Sequence, residues 1–163
     1  MTVEVRRATH ADADTIVEFA ILLSKQHRDY DPKRFVALAD SDGAKWFYGS
    51  QTEANDAAVL IAEDAGKPVG FAYLQYQAKN YAELLESAAW LHDIYVVESA
   101  RGSGAGKKLI EAAEKAATDL GATKLVLHVA ERNLSGQNFF KRAGFRTTML
   151  EMTLDLSSKI LNF

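Results

Sequence analysis

The chain has no cysteine. No disulfide can staple it, no thiolate can hold zinc, and no thiol nucleophile is available. Proline is almost as scarce, with only Pro32 and Pro68 among 163 residues. No linker, low-complexity tract or internal repeat is visible. Long apolar runs are missing too. Runs such as residues 19–23 are far too short to cross a bilayer. The opening residues MTVEVRRATHADAD hold no apolar stretch of signal-peptide type. These features fit a soluble protein of a reducing cytoplasm with no membrane partner. There is also no basic excess. The formal net charge of −3 weighs against a nucleic-acid partner, which selects for a basic face or stripe.

What is present is ordinary for a globular protein. Hydrophobic residues make up 48% and charged residues 25%. That suffices for one domain over residues 1–163 with a core of its own.

The hydrophobic pattern predicts a mixed α/β fold. Residues 2–8 alternate, with Val3 and Val5 inward, as a first strand. Thr9 and Asp12 form a capping-box pattern that opens a helix, with Ile16, Ala20, Leu23 and His27 on one face. Asp31-Pro32 stops that helix. Residues 33–55 look helical with a break near Gly43, and 57–63 and 68–77 form a hairpin around a turn at 64–67. A strand at 87–97, a glycine-rich loop at 101–106, a helix and a strand at 123–130 form a right-handed parallel crossover. That helix has Leu109, Ala113, Ala116, Ala117 and Leu120 on its apolar side, and Gly121 follows it. Residues 133–142 read as a short helix ended by Gly144, and 145–156 as a last strand or hairpin. One antiparallel hairpin and one parallel crossover require a mixed sheet.

The most informative segment is Arg101-Gly102-Ser103-Gly104-Ala105-Gly106-Lys107-Lys108, between a strand and a helix. Amide groups at a helix start lack partners and carry partial positive charge, so they bind phosphate. Glycine lets the backbone come close to such a ligand. Arg101, Lys107 and Lys108 add cationic charge. A Walker loop fails here, because Arg101 and Lys108 stand where Gly and Ser or Thr are needed. The dinucleotide fingerprint fails at Lys107, where it needs glycine. The pattern R-x-x-G-x-G fits, at Arg101, Gly104 and Gly106.

With Leu91-His92-Asp93-Ile94-Tyr95-Val96 before that loop, and N-x-x-G-x-x-F-F-x-x-x-G-F from Asn133 to Phe145, the chain resembles the GNAT superfamily of acyl-CoA-dependent N-acyltransferases. The order of elements is similar as well. The resemblance implies a central mixed, splayed sheet flanked by helices. It implies acetyl-CoA as cosubstrate and no metal. It places the pantetheine arm against the backbone of Ile94, Tyr95 and Val96, and the pyrophosphate on the amides of Gly102, Ser103, Gly104, Ala105, Gly106 and Lys107 beside Arg101. It also puts Asn133 on the cofactor arm, a role compatible with capping its helix. The acceptor is a small-molecule or peptide amine, and a homodimer is common in that family. The class-level rival is a non-catalytic acyl-CoA sensor.

Acetyl transfer needs a neutral amine, a stabilised oxyanion and a thiolate that can leave. His92 is the candidate base, since imidazole titrates near neutrality and related branches carry Glu or His at this position. Strand alternation puts His92 with Ile94 and Val96 on one face, and Leu91, Asp93 and Tyr95 on the other. Val96 is the candidate oxyanion donor. Asp93 and Glu131 are weaker candidates for the base. Trp46, Phe47 and Tyr48 lie where the family builds its acceptor wall, and Tyr30, Asp29, Asp31, Tyr81, Glu83 and Glu86 are candidates for the acceptor mouth. His10 and His128 read as structural. At Phe140 the chain departs from the family, which often has Tyr there to protonate the thiolate. Phenylalanine has no proton to give, so water or a hydroxyl such as that of Ser135 must serve instead.

Overall fold

A computed structural model describes residues 2–156. Five strands form one sheet in the order β1 (Val3–Arg7), β2 (Ala57–Asp64), β3 (Lys67–Gln77), β4 (Ala88–Val96) and β5 (Lys124–Leu127). The first three pairings are antiparallel and β4–β5 is parallel, so the sheet is mixed as the sequence predicts. The turn joining β2 to β3 takes positive φ at Ala65 and Gly66, which suits a tight two-residue hairpin.

Helices α1 (Ala13–Tyr30) and α2 (Ser41–Glu53) cover one face, and α3 (Ala105–Asp119) covers the other. α4 (Leu134–Arg142) follows β5 and adds Phe140 to the α3-side core. The Thr9 N–H donates to the Asp12 carboxylate at 2.7 Å, and a single 3-10 turn leads into α1. Arg6 grips both Asp12 and Glu63, which ties the helix start to two strands and holds the Asp12 carboxyl down at about 2. α1 stops at Tyr30 just before Asp31-Pro32, as expected.

Three expectations change. Gly43 does not break a helix: residues 31–40 are irregular, and α2 starts at Ser41 because the Asp40 carboxylate accepts the Gly43 N–H at 2.8 Å. The strand expected at 123–130 keeps its pairing only to Leu127. Residues 145–156 form no strand among the described residues, although they alternate like one. A strand needs a partner edge as well as a pattern, and the described residues give this segment none.

Candidate active site

β4 carries the site, and its two halves have different neighbours. Ala88–Leu91 pair with Lys124–Leu127 of β5, and there the ladder ends. From His92 onward only β3 remains alongside, so the outer edge of β4 opens into a V-shaped gap. The Val97 N–H donates to Val69 on β3 at 2.8 Å. Successive peptide groups in a strand point to opposite sides. The Val96 and Ile94 peptide groups therefore face the gap, and the Val96 carbonyl accepts Arg101 Nε at 3.1 Å. Tyr95 turns its ring into the α1-side core, 5.9 Å from Phe19, and the Arg101 guanidinium lies over that ring, 5.8 Å from its centroid. Arg101 thus braces the strand against the loop that follows it.

The C-terminal ends of two parallel strands share one end of the sheet, so the loop after β4 and the start of α4 lie at the same end as the gap. Gly104 takes φ +90 and caps α3, a conformation that favours glycine. Among the described residues, the N–H groups of Gly102, Gly104, Gly106 and Lys107 find no acceptor within the chain. The Ser103 hydroxyl bonds to the Ala100 carbonyl, and the Ala105 N–H leans on Ser103 Oγ at 3.4 Å. Four free amides at a helix start are what a pyrophosphate requires. A Cβ at Gly106 would come within 3.1 Å of the Phe139 ring, so glycine there lets α4 close on α3. Lys107 stays in solvent near Glu111, whereas Lys108 bonds the Val3 carbonyl and is directed at β1 rather than the loop. Asn133 caps α4 by accepting the Gly136 N–H at 2.9 Å, which leaves its Nδ2 available. Phe140 sits in the core at 9% exposure against Phe139 and Phe145.

The expected alternation fails at the candidate base. Tyr73 of β3 faces Asp93, but Leu74 faces Leu91, so His92 is an extra residue in β4. This bulge shifts the alternation by one position. Leu91, Ile94 and Val96 pack on the α3 side, while His92 joins Asp93 and Tyr95 on the α1–α2 side. Its ring stacks on Tyr73 at 5.5 Å. Partial desolvation lowers the His92 pKa below the ordinary imidazole value, with Asp93 opposing the shift.

Beside it, the Tyr48 hydroxyl donates to Asp93 Oδ2 at 2.7 Å. Burial pushes the Asp93 carboxyl above the usual carboxylate range, against the pull of Tyr48, His92 and His27. The same burial drives the Tyr48 phenol upward and takes Tyr73 to about 12, so both stay protonated as donors. The Tyr73 hydroxyl reaches Gln51 Oε1 at 3.0 Å.

His92 opens onto a cleft of about 350 Å³ lined by Gln75, Tyr76, Gln77, Asn80, Glu83 and Trp90. Trp90 stands 5.2 Å from the His128 ring, and its Nε1 is a buried donor without an acceptor among the described residues. Of the residues expected at the acceptor side, Glu83 lines this cleft, Tyr48 bonds Asp93 and does not line it, and Phe47 meets Tyr73 edge-on at 5.6 Å. Trp46 is 74% exposed, Tyr81 projects into solvent, and Glu86 pairs with Lys79. Asp31 caps the turn at 33–34. Tyr73, Trp90, Gln75, Gln77 and Asn80 were not legible as site residues, because nothing in their sequence context separates a cleft wall from a strand face.

Among the described residues, no helix is long and apolar enough to cross a membrane. The acetyltransferase (GNAT) family model matches residues 15–145. An uncharacterized N-acetyltransferase of Bacillus subtilis, YhfO, is 28% identical over 141 residues, covering 86% of this chain and 88% of its own length. The fold is similar to that of the BH1408 protein of Bacillus halodurans, solved as a tetramutant, with a TM-score of 0.81 at 18% identity over 94% of this chain and 99% of that one. It is also similar to an aminoglycoside N-acetyltransferase solved with CoA, with a TM-score of 0.75 at 18% identity over 94% of each chain. With its splayed β4–β5 pair, its free loop amides and this match across most of its length, the chain belongs to the acetyltransferase (GNAT) family.

Proposed function

We propose that the protein transfers an acetyl group from acetyl-CoA to a primary amine in a ternary complex. The observation that carries this reading is the parting of β4 from β5 after Leu91, which leaves the Ile94 peptide groups and the Val96 N–H without a strand partner among the described residues, beside a loop of free amides. A pantetheine arm has amide groups that match such an edge, and a pyrophosphate matches the amides from Gly102 to Lys107 with Arg101 nearby. Asn133 Nδ2 lies at the start of the next helix for the same arm. Acetyl-CoA supplies the activated thioester, and the chain's own residues do the rest.

His92, held neutral by its lowered pKa, takes the proton from the attacking amine, directly or through one water. The Val96 N–H faces the gap where negative charge develops on the acyl oxygen. Phe140 donates no proton. A thiol pKa of about 8.5 in the cysteine reference makes the thiolate a tolerable leaving group with water as the acid. The acceptor enters through the cleft at His92, whose volume suits a small molecule better than a folded protein. Its three side-chain amides, the Glu83 carboxylate and the unpaired Trp90 donor favour an amine that carries polar substituents. The test is thiol release across a panel of polyamines, arylalkylamines, amino sugars and peptides, beside calorimetric binding of acetyl-CoA. Acceptor-dependent release supports the reading. Tight acetyl-CoA binding with no release on any amine favours the sensor.

A further inference from the structure

Phe140 leaves one step of acetyl transfer without a placed acid. It lies in the core and has no proton to give. Water lets a thiolate leave, but a placed acid speeds such a step by about 10²–10⁴. The base fixes where that acid must stand. His92 has to reach the amine as it attacks, so the sulfur departs close to His92. That is the narrow end of the gap, where the β4–β5 ladder stops at Leu91 and Leu127.

His128 is the next residue of the chain after that ladder. Leu127 and Val129 both pack on the α3 side, so alternation turns His128 to the opposite side, where His92 lies. Its ring stands 5.2 Å from Trp90, which lines the same cleft as His92. Both histidines are exposed, so a bound substrate can meet either ring. Charged neighbours put His128 between two functional groups. Desolvation leads in lowering the His92 pKa, and the charge of His128 adds to it. Arg34 leads in holding the Glu151 carboxyl low, and His128 adds to that as well.

The hydroxyls near this end have acceptors of their own. Tyr48 donates to Asp93, Tyr73 to Gln51, and Ser135 to Asn133 Oδ1 at 3.4 Å. Trp90 Nε1 is a hydrogen-bond donor and not a titrating acid. Imidazole titrates near neutrality, so it can hold a proton and give it up at working pH.

We infer that His128 protonates the sulfur as it departs and so fills the role that Phe140 cannot; this rests on the acetyl-transfer reading above. The amine nitrogen bonds to the acyl carbon, and His92 takes one of its protons. The C–S bond breaks with its electron pair left on sulfur, and a ring N–H of His128 gives its proton to that sulfur. His92 ends charged and His128 neutral. One proton passed between them through water restores both. The two histidines thus share the work across the gap, one from each strand.

The experiment titrates the thiol of CoA bound to the full-length protein, read by thiolate absorbance with no amine present. It compares the wild type with His128→Gln, beside kcat against pH on the best amine of the panel. A charged imidazole stabilises a neighbouring thiolate, so the wild-type bound thiol should titrate about one unit or more below that of the variant. In the variant kcat should fall about 10²-fold or more, with acetyl-CoA affinity near wild type. The acid form of His128 is the working one. The wild-type rate should therefore fall as pH rises through its titration, and this alkaline limb should vanish in the variant. Equal thiol titrations in the two proteins overturn the proposal. So does a variant that keeps the wild-type kcat and its alkaline limb. Failure of the wild type on every amine strikes the acetyl-transfer reading instead, and the thiol titration then still decides whether His128 stands at the sulfur. Should His128→Gln fail to fold, the histidine NMR signals of the wild type are titrated with CoA and with desulfo-CoA. The His128 titration should differ between the two, and identical titrations overturn the proposal.

Discussion

On the α3 face the sheet meets Ala105, Ala113, Ala116 and Ala117 with Leu109 and Ile110; on the α1–α2 face it meets Phe19, Tyr48, Phe71, Tyr73 and Tyr95. Alanines let α3 lie close to the strands, which fixes where its N-terminal amides point, and they bring no polar atom that needs a partner. Aromatic rings fill the wider space under α1 and α2, and three of them end in hydroxyls. The Tyr48 hydroxyl meets Asp93 and that of Tyr73 reaches Gln51, while the Tyr73 ring supports His92 by stacking. One face holds a scaffold still, and the other holds titratable groups at shifted pKa values.

The sharpest way to separate the faces is to remove the base. His92→Ala should lower kcat by about 10²–10⁴ while acetyl-CoA affinity stays near wild type. Neutral imidazole is the active form, so the acid limb of the wild-type pH–rate profile should fall below the ordinary value of 6.5 and vanish in the variant. Full activity with an unchanged profile would move the base elsewhere, with Glu131 or a water chain next in line.

On the scaffold face, Leu109 is fully buried. Leu109→Ala should cost about 2–5 kcal/mol of stability by leaving a cavity. Urea unfolding measures it, and a cost under about 1 kcal/mol would mean that the α3 face collapses easily and does not hold the loop rigidly.

Gly104→Asp tests the loop without touching the core. A Cβ there meets open space, although the positive φ strains any side chain. Acetyl-CoA affinity should fall about tenfold or more, equal to about 1.4 kcal/mol. Unchanged calorimetric affinity in a folded variant would remove the loop from the cofactor site.

The smallest effect is expected from Asp93→Asn. A carboxyl raised in the folded state adds stability below its unfolded pKa of about 3.8 and loses it as pH rises through the folded value. At pH 7 the amide should therefore match or exceed wild type in Tm, since its oxygen can still accept from Tyr48. Any advantage should disappear below pH 4. A fall of several degrees at pH 7 would show that the ionised carboxylate itself holds this face together.

Much of the fold was legible in local chemistry. Asp12 closing on the Thr9 amide, Asp31-Pro32 stopping α1 and the positive-φ glycines 66, 104, 121 and 144 are all settled within a few residues of chain. The site was legible where it uses backbone, because glycine spacing reports free amides directly. It was illegible where it uses the cleft. Gln75, Gln77 and Trp90 become walls only when β3 and β4 pair in one particular register.

By itself, the sequence determined most of the elements, their order and the glycine-rich loop, because propensity, capping and hydrophobic period act over short range. The tertiary structure alone decided three things. It inserted His92 as a bulge, which moved the candidate base from the α3 face to the face of Tyr48 and Asp93. It ended the β4–β5 ladder at Leu91 and so opened the gap. Among the described residues, it left 145–156 without a strand neighbour despite a strand's pattern. Each is a matter of which edges meet, and pairing between distant segments is set by packing across the whole sheet rather than by the residues of any one strand.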